Sequence, residues 1–416
     1  MALVVTVTDP AQQNEGMNKF TSYKVNTQVN ATHPNFPFQS SAVVRRYSDF
    51  VWLVDQLMKE YAGAVVPPIP EKQAVSRFSP EFVEGRRKML EQFLVRVCAH
   101  PELVNARCLS SFLSADDLAF GVAKSKKSGD GEAQKGGGMM KWFQETKTSL
   151  SKDLVKCDDD EEFAQINQYM DSLESQMKVV VKHTQSLVKK GRETATGLFE
   201  FGLAFTLLGQ SEDDSLGGAL TQVGHTADSL SVLSTTQAEM ECKQFESPLV
   251  DYIRLIGSVK AALKQRENKL VSFSAATADV ASKKASLAKV QGVAGKEDKV
   301  VAAEAALAAS EEALTASSNE FKECSSRCLR EVARFKEEKA VDMRKTVLDY
   351  INLQIEYNKK MEETWTSLVP QLEGVNVSSK GNGFVGAGND QDRVRSTSEL
   401  KGGAPAPGGD DGLVGV

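Results

Sequence analysis

Residues Arg45 to Phe50 read RRYSDF, and here strand periodicity gives way to helical periodicity. Upstream, Leu3, Val5 and Val7 alternate with Val4, Thr6 and Thr8, and Tyr23, Val25, Thr27 and Val29 alternate with Lys24, Asn26 and Gln28. Alternation of this kind marks strands with one buried face. A third strand runs from Ala42 to Arg46. Downstream, Phe50, Leu53, Val54, Leu57 and Tyr61 fall at helical spacing, with Ser48 and Asp49 placed to cap that helix and to favour its positive end. Beyond a proline-rich turn at Pro67 to Lys72 (PPIPEK), Ser79 as cap and Pro80 as first helical residue open a second amphipathic helix carrying Phe82, Leu90, Phe93, Leu94 and Val97. Residues 1–120 therefore read as a compact α+β domain.

Proline use divides the rest. Eight of the twelve prolines precede Glu102, three follow Val369, and Pro248 alone lies between. That middle is rich in Ala, Leu, Lys, Glu and Gln, which lose little rotamer freedom in a helix. Residues 121–138, which contain KSKKSGDGEAQKGGG, read as a flexible linker. An amphipathic helix over 139–155 follows, with Met139, Trp142, Phe143, Thr146, Leu150 and Leu154 on one stripe and Lys141, Lys147 and Lys152 beside it. Such a helix suits the headgroup region of an anionic bilayer, or it caps a bundle. From 156 to 373 the pattern predicts three long helices, broken near GQSEDDSLGG (Gly209 to Gly218) and GVAGKED (Gly292 to Asp298). In the third, Val300, Leu307, Leu314, Phe321, Cys328 and Phe335 recur every seven residues, a seam for partner helices. Pro248 is expected to kink the second helix unless the helix restarts there. Residues 374–416 are rich in Gly, Asn, Ser and Pro and read as a disordered tail.

Composition narrows the function. The formal charge of -6 argues against coating nucleic acid through one basic field. No apolar run reaches the roughly eighteen residues a membrane span needs, and the start MALVVTVTDP lacks the pattern of a secretory signal, so a cytosolic location is expected. Six cysteines without CxxC spacing fit reduced thiols. Cys324 and Cys328 read as seam residues rather than metal ligands, and the acidic run Asp158 to Glu162 as a helix-start cluster. No GxxxxGK[ST], HExxH or GxSxG pattern occurs, so neither catalysis nor a cofactor is expected.

Three segments carry cations beside a turn: RRYSDF, PPIPEK and EGRRK (Glu84 to Lys88). A guanidinium holds a phosphate by paired hydrogen bonds, a lysine takes another as a point charge, and an aromatic ring stacks on a sugar-like ring. Together they outline an inositol phosphate pocket; the plainer alternative makes Arg45 and Arg46 exposed strand-end charges and Tyr47 a core residue. The order VTDP, GMNKFTSYKV, RRYSDF, VVPPIPEK and FLSADD resembles the phox-homology (PX) domain of sorting nexins. That resemblance implies a three-stranded antiparallel sheet with helices. It assigns Arg46 to the 3-phosphate of phosphatidylinositol 3-phosphate, Tyr47 to the face of the inositol ring, Lys72 to the 1-phosphate and Arg86, next to Arg87, to the ring hydroxyls. The segments Pro248 to Leu270 and Arg330 to Ile351, together with LLGQSEDDSLGGAL, resemble the BAR domain of the retromer-associated sorting nexins. This implies an all-α dimeric coiled-coil bundle, as homodimer or as heterodimer with another PX-BAR protein. It also implies Met139, Trp142, Phe143 and Leu150 as a membrane-inserting set, and a role in endosomal sorting and retrograde transport with retromer or a related cargo complex. Lys260, Lys264, Arg266 and Lys269 are nominated as basic membrane-facing residues. The competing reading is a coiled-coil tether or cytoskeletal scaffold whose small domain binds a protein.

Overall fold

The computed structural model describes residues 3–15, 18–30, 34–73, 78–125, 154–212, 214–292 and 297–375. Strands β1 (Leu3–Glu15), β2 (Asn18–Val29) and β3 (Ser40–Arg46) form an antiparallel sheet in the order β1-β2-β3. Period-two burial is as the alternation predicts: Leu3, Val5, Val7, Tyr23 and Val25 are buried while Val4 and Lys24 are exposed. Helices α1 (Tyr47–Glu60), α2 (Pro80–Ala99) and α3 (Arg107–Ser114) close over this face. Phe50 lies at the centre, edge-on to Phe93 and Phe112, with ring centroids 6.4 and 4.9 Å away. Ser79 caps α2 by accepting the Phe82 N–H at 3.3 Å. Helix α1 starts one residue before the expected cap Ser48. Asp49 in its first turn instead accepts the Arg46 N–H at 2.9 Å. Helix α4 (Asp117–Ser125) runs into the stretch that read as linker from residue 121.

The remainder is helical: α5 (Asp160–Ser211), α6 (Asp214–Glu241), α7 (Ser247–Val290) and α8 (Glu297–Glu373). At 1.5 Å per residue α8 is about 115 Å long, too long to be stable without lateral partners. Helices α5 and α6 pack antiparallel at backbone contact, because Gly202 and Gly209 face Gly224 and Gly217. A Cβ on Gly202 would meet the Gly224 carbonyl oxygen at 2.8 Å. Pro248 neither breaks the second helix nor stands in a regular one. Between α6 and α7 the backbone widens into a π turn over Cys242–Glu246, and the Ser247 N–H bonds the Cys242 carbonyl five residues back. The widened turn absorbs the donor that proline lacks and the ring that would strike the carbonyl of Gln244.

The α+β domain sits on α7 and α8 through a polar contact. Gly63, at φ 88°, donates its N–H to Gln265 Oε1 at 2.8 Å, and a side chain there would lie 2.6 Å from the Cys324 carbonyl oxygen. Arg327 bonds the Ala62 carbonyl and the Glu102 carboxylate, each at 2.7 Å. Glu331, almost fully buried, accepts from the Val65 N–H at 2.9 Å, from His100 Nε2 at 2.9 Å and from Arg334 at 2.6 Å. His100 Nδ1 already accepts the Glu102 and Leu103 N–H groups, which leaves Nε2 as the donor.

Burial alone would raise the Glu331 carboxyl, but the hydrogen bonds from His100 and Arg334 and the Arg334 charge outweigh it and hold the group down to about 2 from 4.5. A carboxyl that titrates lower folded than unfolded stabilises fully above the unfolded value, and that stability is lost as pH falls through the folded value. Glu331→Gln should therefore cost about 1–3 kcal/mol at neutral pH. It should also flatten the loss of stability between pH 4.5 and 2, as read by denaturant melts of both proteins across that range.

Candidate functional site

The site forms where β3 becomes α1 without an intervening loop. Because β3 alternates, Arg45 and Arg46 point to opposite faces. Arg45 is 1 % exposed: its Nε bonds the Phe112 carbonyl at 2.9 Å, its terminal nitrogens bond Val44 and Ala115 carbonyls, and its guanidinium lies 4.1 Å over the Phe120 ring. Burial lowers its pKa, with Asp49 and Asp117 opposing. Arg45 is thus neither an exposed strand-end charge nor a pocket residue; it ties β3 to α3 and α4. The signal was its shared face with Val43. Arg46 is 43 % exposed at its side chain and lies 5.3 Å over the Phe20 ring.

Tyr47 is half-buried, and its hydroxyl donates to the Pro70 carbonyl at 2.6 Å, which fixes the proline-rich turn against the start of α1. Burial raises the Tyr47 hydroxyl pKa, Arg86 opposing. Arg86 is clamped between two rings, 4.5 Å from Tyr47 and 4.3 Å from Phe82, and bonds the Glu71 carbonyl at 3.2 Å. Its Nε–H is buried and has no hydrogen-bond partner among the described residues. Lys72 follows Glu71 directly, is exposed, and makes no ion pair among the described residues. Neighbouring Arg87 faces elsewhere, held by Glu84 at 2.8 Å, by Glu91 at 3.1 Å and by the Val7 carbonyl. The fold thereby brings Arg46, Tyr47, Arg86 and the turn that carries Lys72 to one corner. That corner carries two exposed cations, Arg46 and Lys72, beside Arg86, which is 7 % exposed and lies on the Tyr47 ring.

The other nominated residues fare differently. Met139, Trp142, Phe143 and Leu150 lie outside the described residues, and Leu154 to Cys157 are irregular rather than helical. Arg266 does not face a membrane. It is 5 % exposed, stacked 3.8 Å over Phe163 and bonded to Ser325, Asp159 and Asp160, so it clamps α5, α7 and α8 together. Lys260 pairs with Asp171 and Glu174, Lys264 with Glu267 and Lys269 with Glu320, each within 2.7 Å, so these three are compensated within the chain. Cys157, Asp159 and Asp160 are close enough to hold a metal ion, but the Arg266 guanidinium already occupies both carboxylates.

The heptad seam packs against helices α5 and α7 of its own chain. Phe321, Cys328 and Phe335 turn inward; Cys328 and Phe335 share a buried cluster with Val65, Tyr252 and Ile256, which joins the two domains. A second register, shifted along α8, stays exposed: Val341, Leu348, Ile355 and Val369, with Ile351, Trp365 and Leu372 beside them. On α5, Phe199, Leu203 and Leu207 are exposed one turn apart. No described helix is long and apolar enough to cross a membrane.

Residues 33–116 match the PX domain model, and 139–371 match the model described as Vps5 C terminal like. Sorting nexin 1 of Arabidopsis thaliana is 31% identical over 89% of this chain and 92% of its own. Human sorting nexin-1 is 29% identical over 90% of this chain and 72% of its own. Among solved structures, the SNX-BAR Mvp1 tetramer superposes with a TM-score of 0.65 over 88% of this chain and 99% of that one, at 17% identity, a likeness of fold.

Arg45→Met should remove the donors from three carbonyls while keeping most of the volume. A cost of about 2–4 kcal/mol is expected, because buried acceptors lose their partners. Thermal unfolding would read this as a clearly lowered Tm.

Proposed function

We propose a function from one premise: the chain belongs to the sorting nexins, in the group that joins a PX domain to a helical BAR domain. Sorting nexins act in membrane-associated sorting, and PX domains imply phosphoinositide binding. The ligand proposed here is phosphatidylinositol 3-phosphate. Arg46 takes the 3-phosphate, Tyr47 lies against the ring, Lys72 takes the 1-phosphate, and Arg86 reaches the ring hydroxyls. The observation that carries this reading is the corner itself, where Arg86 is held on the Tyr47 ring beside exposed Arg46 and the Lys72 turn. Pre-set guanidinium and aromatic groups lose little entropy when an anionic ring binds.

The protein is further proposed to act on endosomal membranes, in retrograde transport with retromer or a related cargo complex. Met139, Trp142, Phe143 and Leu150 are proposed as the set that inserts into the bilayer. Support for this comes from the sequence resemblance. The exposed apolar register of α8 and the α5 ridge favour pairing with a second PX-BAR chain, because such a surface is costly to leave in water. Pairing doubles the headgroup sites, so the second binds at high effective concentration.

Arg46→Ala should leave Tm unchanged, as exposed substitutions usually shift stability by less than about 0.5 kcal/mol. It should reduce flotation with vesicles containing phosphatidylinositol 3-phosphate by roughly tenfold or more, since a charge-assisted bidentate contact is lost. Flotation equal to the unaltered protein would remove Arg46 from the site. Ile351→Asp places a charge on the exposed register and should yield monomers by light scattering, with weaker vesicle binding and no tubules. A monomer that still tubulates vesicles would end the dimer reading.

A further inference from the structure

Asp49 lies beneath the proposed phosphate site, its side chain 9% exposed. Its Oδ2 accepts the Arg46 N–H at 2.9 Å. The other oxygen, Oδ1, receives the Lys124 ammonium at 2.6 Å, while Arg46 Nε stands 4.0 Å from that same oxygen. Arg45 approaches from the core side, but carbonyls of α3 and of the turn after it hold its guanidinium. Lys124 is therefore the close cationic partner of Asp49. It comes from the last turn of α4, beyond the residues 33–116 that match the PX model, and α4 is held in place by Phe120, whose ring lies 5.0 Å from Trp52 and 4.1 Å from the Arg45 guanidinium.

A carboxylate so close to a phosphate site acts twice against binding. It repels the phosphate, and it competes for the guanidinium that should hold it. Poorly solvated, it is not screened as a surface charge is. A lysine at hydrogen-bond distance offsets the repulsion.

We propose that Lys124 is a positioning residue of the headgroup site: it neutralises Asp49, the carboxylate that would otherwise repel a phosphate bound beside it at Arg46. This rests on the reading of Arg46 as a phosphate ligand. Lys124 itself touches Asp49, and its influence on the ligand passes through that carboxylate.

The test uses the full chain and vesicles of neutral phospholipid with either phosphatidylinositol 3-phosphate or phosphatidylserine. Lys124→Ala should weaken binding to the 3-phosphate vesicles on the order of tenfold, as expected for a uniting charge pair partly shielded from water. Lys124→Arg should bind as the unaltered protein. Adding Asp49→Asn to Lys124→Ala should restore binding to within about twofold, because the charge that needed neutralising has gone. Binding to phosphatidylserine vesicles should be unaffected by Lys124→Ala. Equal losses on both vesicles would make Lys124 a general surface cation, and an unrestored double variant of unchanged Tm would make it a direct ligand; either result overturns the proposal. Should asparagine at 49 lower the Tm, the alanine and arginine variants decide, since the proposal stands only if they differ. Arg46→Ala, run alongside, separates the two readings: if it binds normally, the headgroup assignment fails whatever Lys124 does.

Discussion

A carboxylate buried where two domains meet has to find its donors on both sides. Glu331 of α8 does so, bonding the Val65 N–H and the His100 ring of the PX domain and Arg334 of its own helix. Unmatched, it would cost more than any nearby apolar contact returns. Its donors come from the ends of two PX elements, the Gly63–Val66 turn and the end of α2, so satisfying it fixes both the position and the rotation of the PX domain on the bundle. Gly63 lies against the Cys324 carbonyl, and Arg327 bridges Ala62 and Glu102, in the same arrangement. The corner of Arg46, Tyr47 and Arg86, carried by the other end of α2 and by α1, is thereby oriented with respect to the long helices.

The fold was legible because its signals are local. Alternation gave the three strands, Ser79 and Pro80 gave the start of α2, and glycines with charges gave the breaks between long helices. Arg46, Tyr47 and Arg86 could be brought together only through resemblance, since they lie on different elements. What the sequence could not convey was pairing between distant residues. Nothing in Lys260 or Lys269 names the carboxylates of α5 and α8 that compensate them, and nothing in Arg266 shows that it enters the bundle between Phe163 and Phe321. The seam through Phe335 has the expected period and packs on helices α5 and α7 of its own chain; the heptad pattern alone does not say which chain covers it.

Charge accounting follows from the same pairing. With a formal charge of -6, attraction to an anionic bilayer has to be local. Many cations of the described bundle are matched within the chain, whereas Lys72 at the PX corner is exposed without an ion pair among the described residues.

Helix α8 carries two apolar registers, one facing α5 and α7 through Phe321, Cys328 and Phe335 and one facing outward from Val341. Both are cut into a single rigid rod, so the angle between them is set by a residue count alone. Each residue of an α-helix advances the phase by about 100°. The six steps from Phe335 to Val341 act as a dial: removing one would swing the entire outer register by about a quarter turn while leaving every contact within either register intact. Chain length at this point is thus a geometric coordinate of the assembly. Substitutions between the two registers are readily absorbed, but insertions and deletions are not.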